Sequence, residues 1–162
     1  MHINTKRATH TDAALLPDIY NHYLGKATLD IKRRDTDFFI EMIEKLENRE
    51  MMLVAEKNGE LAGYGILKKY SWKMGYIHAG EISIFLGELF TGQGIGKKLM
   101  LELIAQAKKW EYRHLVSRIM AKNKGSILFH EKLGYEMVGI QKQIGFANGE
   151  WEDVAIMQLI IK

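Results

Sequence analysis

The chain contains no cysteine in 162 residues and only one proline. Without thiols it has no disulfide framework, no thiolate nucleophile and no Cys-type zinc site. Its histidines (His2, His10, His22, His78, His114 and His130) are scattered without metal-ligand spacing, so no metal is expected. No apolar run is long enough for a membrane-spanning helix, and the opening Met1-His2-Ile3-Asn4-Thr5-Lys6-Arg7 is not a signal peptide. Strong charge imbalance is missing too: the formal net charge is +3, and no basic run interleaves with aromatics. That charge suits an anionic small molecule and gives no footprint for nucleic acid. The expectation is a soluble cytoplasmic protein with neither a membrane nor a nucleic-acid partner.

What is present is ordinary globular material, 47% hydrophobic and 27% charged, enough for one domain over residues 1–162. Hydrophobic periodicity predicts a short strand near 2–8. A helix capped by Asp12 then runs through Leu15, Leu16, Ile19 and Tyr20, with Pro17 near its first turn. Asp35 or Thr36 caps a second helix carrying Phe38, Phe39, Met42, Ile43 and Leu46. Strands at 52–55 and 61–67 flank Asn58-Gly59, a strong hairpin signal. There follow a strand at 81–87, a helix at 94–109, a strand at 114–120, a helix at 124–133 and strands near 135–143 and 153–161. This order predicts an α/β fold with a mixed sheet. Lys26, Asp30, Lys32, Arg33 and Arg34 read mainly as a solvated charged edge.

The most telling stretch is Thr91-Gly92-Gln93-Gly94-Ile95-Gly96. Upstream, Ile82, Ile84 and Leu86 alternate with Ser83 and Phe85; downstream, Ile95, Leu99, Met100, Leu103, Ile104 and Ala107 recur at helical spacing. A strand feeding a helix through glycines leaves backbone N–H groups bare at the helix start, a nest suited to phosphate. A tight turn with no ligand is the plainer alternative. Gly96 is followed by Lys97-Lys98, so the Walker pattern fails. The turn also lies too late in the chain for a dinucleotide fold.

With these motifs in this order, the chain resembles the GNAT superfamily of acetyl-CoA-dependent N-acetyltransferases. Gly94-Ile95-Gly96 occupies the end of the family's Arg/Gln-x-x-Gly-x-Gly/Ala turn, with Thr91 standing where Arg or Gln is usual. Asn123, Ser126, Phe129, His130, Leu133, Gly134 and Tyr135 fit a second family run. The resemblance implies a mostly antiparallel mixed sheet flanked by helices. It also implies that the amides of Gly92, Gln93, Gly94, Ile95, Gly96 and Lys97 wrap the CoA pyrophosphate. Asn123 and Ser126 would lie along pantetheine, although Asn123 by itself is equally a plain N-cap.

The likeness extends to the phosphinothricin and methionine sulfoximine (sulfone) N-acetyltransferase group, over about Ile3 to Ile161. Its marks are Ile19-Tyr20-Asn21-His22, the Tyr76-x-His78-x-x-Glu81 pattern, and Gly145-Phe146, Gly149, Trp151 and Asp153-Val154. Two departures stand out. Ala147 replaces a usual basic residue, and Lys73 takes the place of an arginine that holds the acceptor carboxylate. A lysine is a point charge and cannot reproduce a bidentate fork. Lys73, Tyr76, His78 and Glu81 are the implied acceptor contacts.

Acetyl transfer needs a deprotonated amine, hence a base, and donors aimed at the thioester oxygen. By family position Glu81 is the base, although its spacing alone fits an exposed strand carboxylate. The backbone of Ile84, Phe85 and Leu86 pairs with pantetheine, and the Leu86 amide is the oxyanion donor. His130 stands as the acid for the leaving thiolate; a helix-surface histidine without a task is the other reading. With no cysteine for an acetyl-enzyme, transfer is direct, in a ternary complex. The expected acceptor is the amine of an amino acid or analogue, and the expected assembly is a homodimer. A peptide, protein or polyamine acetyltransferase, and a non-catalytic acyl-CoA sensor, are the alternatives.

Overall fold

The computed structural model describes residues 2–162. Its strands are β1 (Ile3–Arg7), β2 (Met51–Lys57), β3 (Glu60–Lys69), β4 (Ala79–Leu86), β5 (His114–Met120), β6 (Glu136–Ala147) and β7 (Glu150–Ile160). Helices α1 (Leu16–His22) and α2 (Thr36–Glu44) follow β1, α3 (Ile95–Lys109) follows β4, and α4 (Lys124–Lys132) follows β5. The seven strands form one sheet in the order β1-β2-β3-β4-β5-β7-β6. Only β4 and β5 run parallel; every other neighbouring pair is antiparallel.

β2 is covered on both faces of the sheet, which is why its sequence is a continuous apolar run. Met51, Leu53 and Ala55 enter the core beneath α3, while Met52 and Val54 enter the core beneath α1 and α2. A strand buried on both sides has no polar face to alternate with. The buried stripe of α3 is Ile95, Leu99, Met100, Leu103 and Ala107, each 0% exposed, at the predicted helical spacing. Each large side chain there contributes about 1.5–3 kcal/mol by leaving water.

Several boundaries differ from expectation for identifiable reasons. Asp12 does not cap α1; Asp12–Ala14 form a separate 3-10 turn, and Leu15 precedes α1 without a side-chain cap. The Asp12 carboxylate accepts from the Thr9 N–H at 2.8 Å and pairs with Lys6, closing the turn backwards. Asp35 is the cap of α2, accepting from the Phe38 N–H at 2.9 Å. Asn58 (φ 53°) and Gly59 (φ 84°) form the expected β2–β3 turn. A second Asn-Gly turn, Asn148 (φ 55°) and Gly149 (φ 76°), joins β6 to β7 and makes both strands longer than the periodicity predicts.

Candidate active site

The site begins where two parallel strands part. β4 and β5 pair only through Ala79↔His114, Gly80↔Leu115 and Glu81↔Val116. Beyond Glu81, β4 stays with β3 as far as Leu86↔Gly63, and β5 stays with β7 as far as Met120↔Val154. The wedge between them is a cleft of about 580 Å³.

Which backbone groups face the wedge follows from the β3–β4 ladder. Tyr70 N–H donates to the Ala79 carbonyl at 3.0 Å, and Gly87 N–H to the Ala62 carbonyl at 2.8 Å. Odd-numbered β4 residues therefore bond β3, and even-numbered ones turn their peptide groups towards the cleft. Two of those carbonyls are taken: Ser117 Oγ donates to Ile82 at 3.3 Å, and the Tyr23 hydroxyl donates to Leu86 at 2.6 Å. The N–H and C=O of Ile84 and the N–H of Leu86 remain as an open strand edge. An extended chain bearing amides can add to such an edge.

One end of the cleft is the start of α3. Gly92 (φ 71°) and Gly94 (φ 83°) take backbone conformations that other residues rarely adopt. The first α3 bond runs from Lys98 N–H to the Gly94 carbonyl at 3.0 Å, so the amides of Ile95, Gly96 and Lys97 have no helix acceptor. Thr91, Gly92 and Gly96 line the cleft directly. The Ile95 side chain is wholly buried, so any contribution from that residue is through its backbone. Gln93 ties the loop instead, its Nε2 donating to the Leu89 carbonyl at 2.7 Å and its Oε1 accepting from Lys57.

The opposite wall is α4. Asn123 is its N-cap, accepting from the Ser126 N–H at 3.2 Å, and both residues line the cleft. His130 is buried between Phe129 and Tyr135. Its Nδ1 lies 2.7 Å from the Ser126 carbonyl, which only accepts, so Nδ1 carries the hydrogen. Burial pushes the imidazole below the ordinary histidine range, against that hydrogen bond. The ring is thus neutral with Nε2 bare, and it must take up a proton before it can give one.

Glu81 lines a second cavity of about 330 Å³, which shares Ala27, Ser83, Phe85 and Arg118 with the first. Its carboxylate is gripped by Arg118, Nε to Oε2 at 2.7 Å and Nη2 to Oε1 at 2.8 Å. That hydrogen bonding holds the guanidinium more firmly protonated still. Asp30, expected on a solvated edge, instead lines this cavity. It accepts from the Tyr20 hydroxyl at 2.8 Å and from Arg34 Nε at 2.7 Å. Burial opposes its ionisation, but the bonds from Arg34 and Tyr20 prevail and hold its carboxyl below the usual range. Burial, and then the bond to Asp30, push the Tyr20 hydroxyl up to about 12.

Lys73, Tyr76 and His78 line neither cavity. Lys73 precedes a 3-10 turn at Met74–Tyr76, and the Tyr76 ring rests against Tyr70 at 5.4 Å. His78 donates from Nδ1 to the Glu111 carbonyl at 2.7 Å. Conversely, Ser117 and Arg118 line the cleft and escaped the motifs. For Arg118 a signal existed: it is a lone charge inside the apolar run of β5.

The unpaired strand edge lies between a glycine nest and a carboxylate, and comparison with known proteins identifies the class. The model of the acetyltransferase (GNAT) domain matches residues 6–156, and the chain belongs to this family. It is 30% identical over 158 residues to the L-methionine sulfoximine/L-methionine sulfone acetyltransferase of Salmonella typhimurium, covering 94% of this chain and 91% of that one. It is 29% identical over 151 residues to a phosphinothricin N-acetyltransferase of Alcaligenes faecalis, covering 91% and 77%. Among solved structures, the acetyltransferase yncA of Salmonella typhimurium with its cofactor acetyl-CoA superposes with a TM-score of 0.94 at 28% identity, over 100% and 95% of the two chains. A ribosomal-protein-alanine N-acetyltransferase of Brucella melitensis superposes at 0.92 with 31% identity, over 98% and 99%.

Proposed function

We propose that this protein acetylates the amine of a small amino acid or amino-acid analogue, of the methionine sulfoximine or phosphinothricin type, by direct transfer in a ternary complex. The observation that carries the reading is the open edge of β4. Ile84 and Leu86 offer peptide groups with no strand partner, set between the bare amides of α3 and the Glu81 carboxylate. The residues fit acetyl-CoA: the amides of Ile95, Gly96 and Lys97 suit a pyrophosphate, and the β4 edge suits the amides of pantetheine. Acetyl-CoA supplies the acyl group as an activated thioester.

In this reading Glu81 takes the proton from the acceptor ammonium, directly or through water. The Leu86 N–H faces the oxygen on which negative charge develops; the Tyr23 bond to the Leu86 carbonyl steadies its strand end. His130 would take at its bare Nε2 the second proton that the amine nitrogen loses on acylation, and would hand it to the departing sulfur. Asn123 and Ser126 flank the pantetheine channel from α4.

A second reading, transfer to a peptide amino terminus, draws on the likeness to the Brucella enzyme. The modest size of the cavity beside Glu81 favours the small acceptor. A homodimer in the cytoplasm completes the proposal. The exposed ring pair Phe146 and Trp151 on β6 and β7 supports association, which sedimentation tests. Acetyl transfer itself is tested by CoA release from acetyl-CoA in the presence of each class of amine.

A further inference from the structure

Arg118 is the one Lys or Arg lining the cavity beside Glu81. Its Nε and Nη2 are both committed to Glu81, at 2.7 and 2.8 Å, which occupies one edge of the planar guanidinium. A guanidinium carries five N–H donors in a fixed fork, so the edge formed by Nη1 and the second Nη2 hydrogen remains available. The side chain is 63% exposed and lines both cavities, so that edge has room for a ligand. The ion pair presents an anion and a cation side by side. An α-amino acid zwitterion presents the complement, with ammonium and carboxylate on one carbon.

We propose that Arg118 selects α-amino acid acceptors: its free edge grips the acceptor carboxylate while Glu81, held on the other edge, faces the acceptor amine. This rests on the acetyl-transfer reading above and assigns its specificity to a residue on β5. A carboxylate held there carries its α-amine towards Glu81, because one carbon separates the two groups. Lys73 lies outside the cavity, and its replacement of an arginine therefore need not weaken acceptor binding. The pairing disfavours polyamines, which offer nothing to the guanidinium.

The test compares methionine sulfone with its carboxamide, which keeps the amine and side chain and loses the charge, in wild type and in Arg118→Gln, Arg118→Lys and Lys73→Gln. The wild type is expected to prefer the acid. Arg118→Gln is expected to erase that preference, lowering kcat/KM on the acid roughly 10- to 150-fold through KM. On the carboxamide kcat/KM is expected to fall only by what losing the Glu81 ion pair costs, so the loss on the acid is the larger and the acid-to-carboxamide ratio collapses. Arg118→Lys is expected to recover part of the preference, and acetyl-CoA binding measured in parallel reports that each variant is folded. Equal losses on acid and carboxamide would mean that Arg118 acts only through Glu81, and would overturn the proposal. Loss of the preference in Lys73→Gln instead of Arg118→Gln would do the same. A wild type that acetylates a polyamine or peptide but no α-amino acid overturns this inference and leaves acetyl transfer standing. One that acetylates no amine overturns both.

Discussion

The hydroxyl of Tyr23 donates to the carbonyl of Leu86 at 2.6 Å, joining the end of α1 to the last residue of β4. Burial and then the nearby Glu88 carboxylate keep that hydroxyl protonated, so it acts as a donor. The bond holds the Leu86 carbonyl, the neighbour along the strand edge of the Leu86 N–H that faces the cleft. Tyr23→Phe is therefore expected to cost about 0.5–1.5 kcal/mol in urea unfolding. It is also expected to lower kcat more than it changes acetyl-CoA affinity. An unchanged kcat alongside the stability loss would show that the Leu86 peptide is held by other means.

Glu81→Gln keeps the shape of the side chain and removes the base. The expected result is a loss of about 10²- to 10⁴-fold in kcat, with acetyl-CoA affinity by calorimetry at the wild-type value. Wild-type turnover in this variant would remove Glu81 from the chemistry.

His130 makes stability depend on pH, with a definite sign. Its imidazole is depressed in the fold by burial, whereas in the unfolded chain it titrates near 6.5. Above that value neither state binds the proton and His130 adds no pH dependence. As the pH falls below it the unfolded chain takes up a proton that the fold refuses, so stability drops until the lowered value is passed. Comparing urea midpoints from pH 7.5 downward, wild type should lose up to about 1.4 kcal/mol per pH unit more than His130→Phe. Parallel curves for the two proteins would contradict the buried, neutral ring.

Gly94 and Gly59 provide a matched pair. Both have φ above +80°, and a Cβ at either would meet nothing within 4 Å, so alanine at each costs only backbone strain. That cost is about 1–2 kcal/mol. Gly94→Ala and Gly59→Ala should lose similar stability, but only Gly94→Ala should weaken acetyl-CoA binding, because only Gly94 begins the α3 nest. Equal acetyl-CoA affinities would place the pyrophosphate elsewhere.

The parts of this site that local sequence could carry were legible: the apolar stripe of α3, the glycines before it and the alternation along β4 are all short-range patterns. The order of all eleven main strands and helices follows from them. What escaped depends on distant pairings. Arg118 meets Glu81 only because β5 pairs in parallel with β4 through Glu81↔Val116, a register no local pattern encodes. Asp30 resembled solvated charge until Tyr20, ten residues earlier, and Arg34, four later, closed around it. Asn148-Gly149 carries the same turn signal as Asn58-Gly59, and the strands on either side reach up to it, past where their apolar alternation ends. Asp12 had the composition of a helix cap, yet its carboxylate found Thr9 and Lys6 instead.

The central claim is acetyl transfer to a small amine, and the most direct measurement is CoA release from acetyl-CoA across a panel of acceptors. The panel holds methionine sulfone, methionine sulfoximine, phosphinothricin, ordinary amino acids, polyamines and a short peptide. The expected result is acceptor-dependent release that is fastest with the sulfone, sulfoximine and phosphinothricin. Tight acetyl-CoA binding with no release on any amine would contradict it, leaving a protein that keeps the cleft without the chemistry.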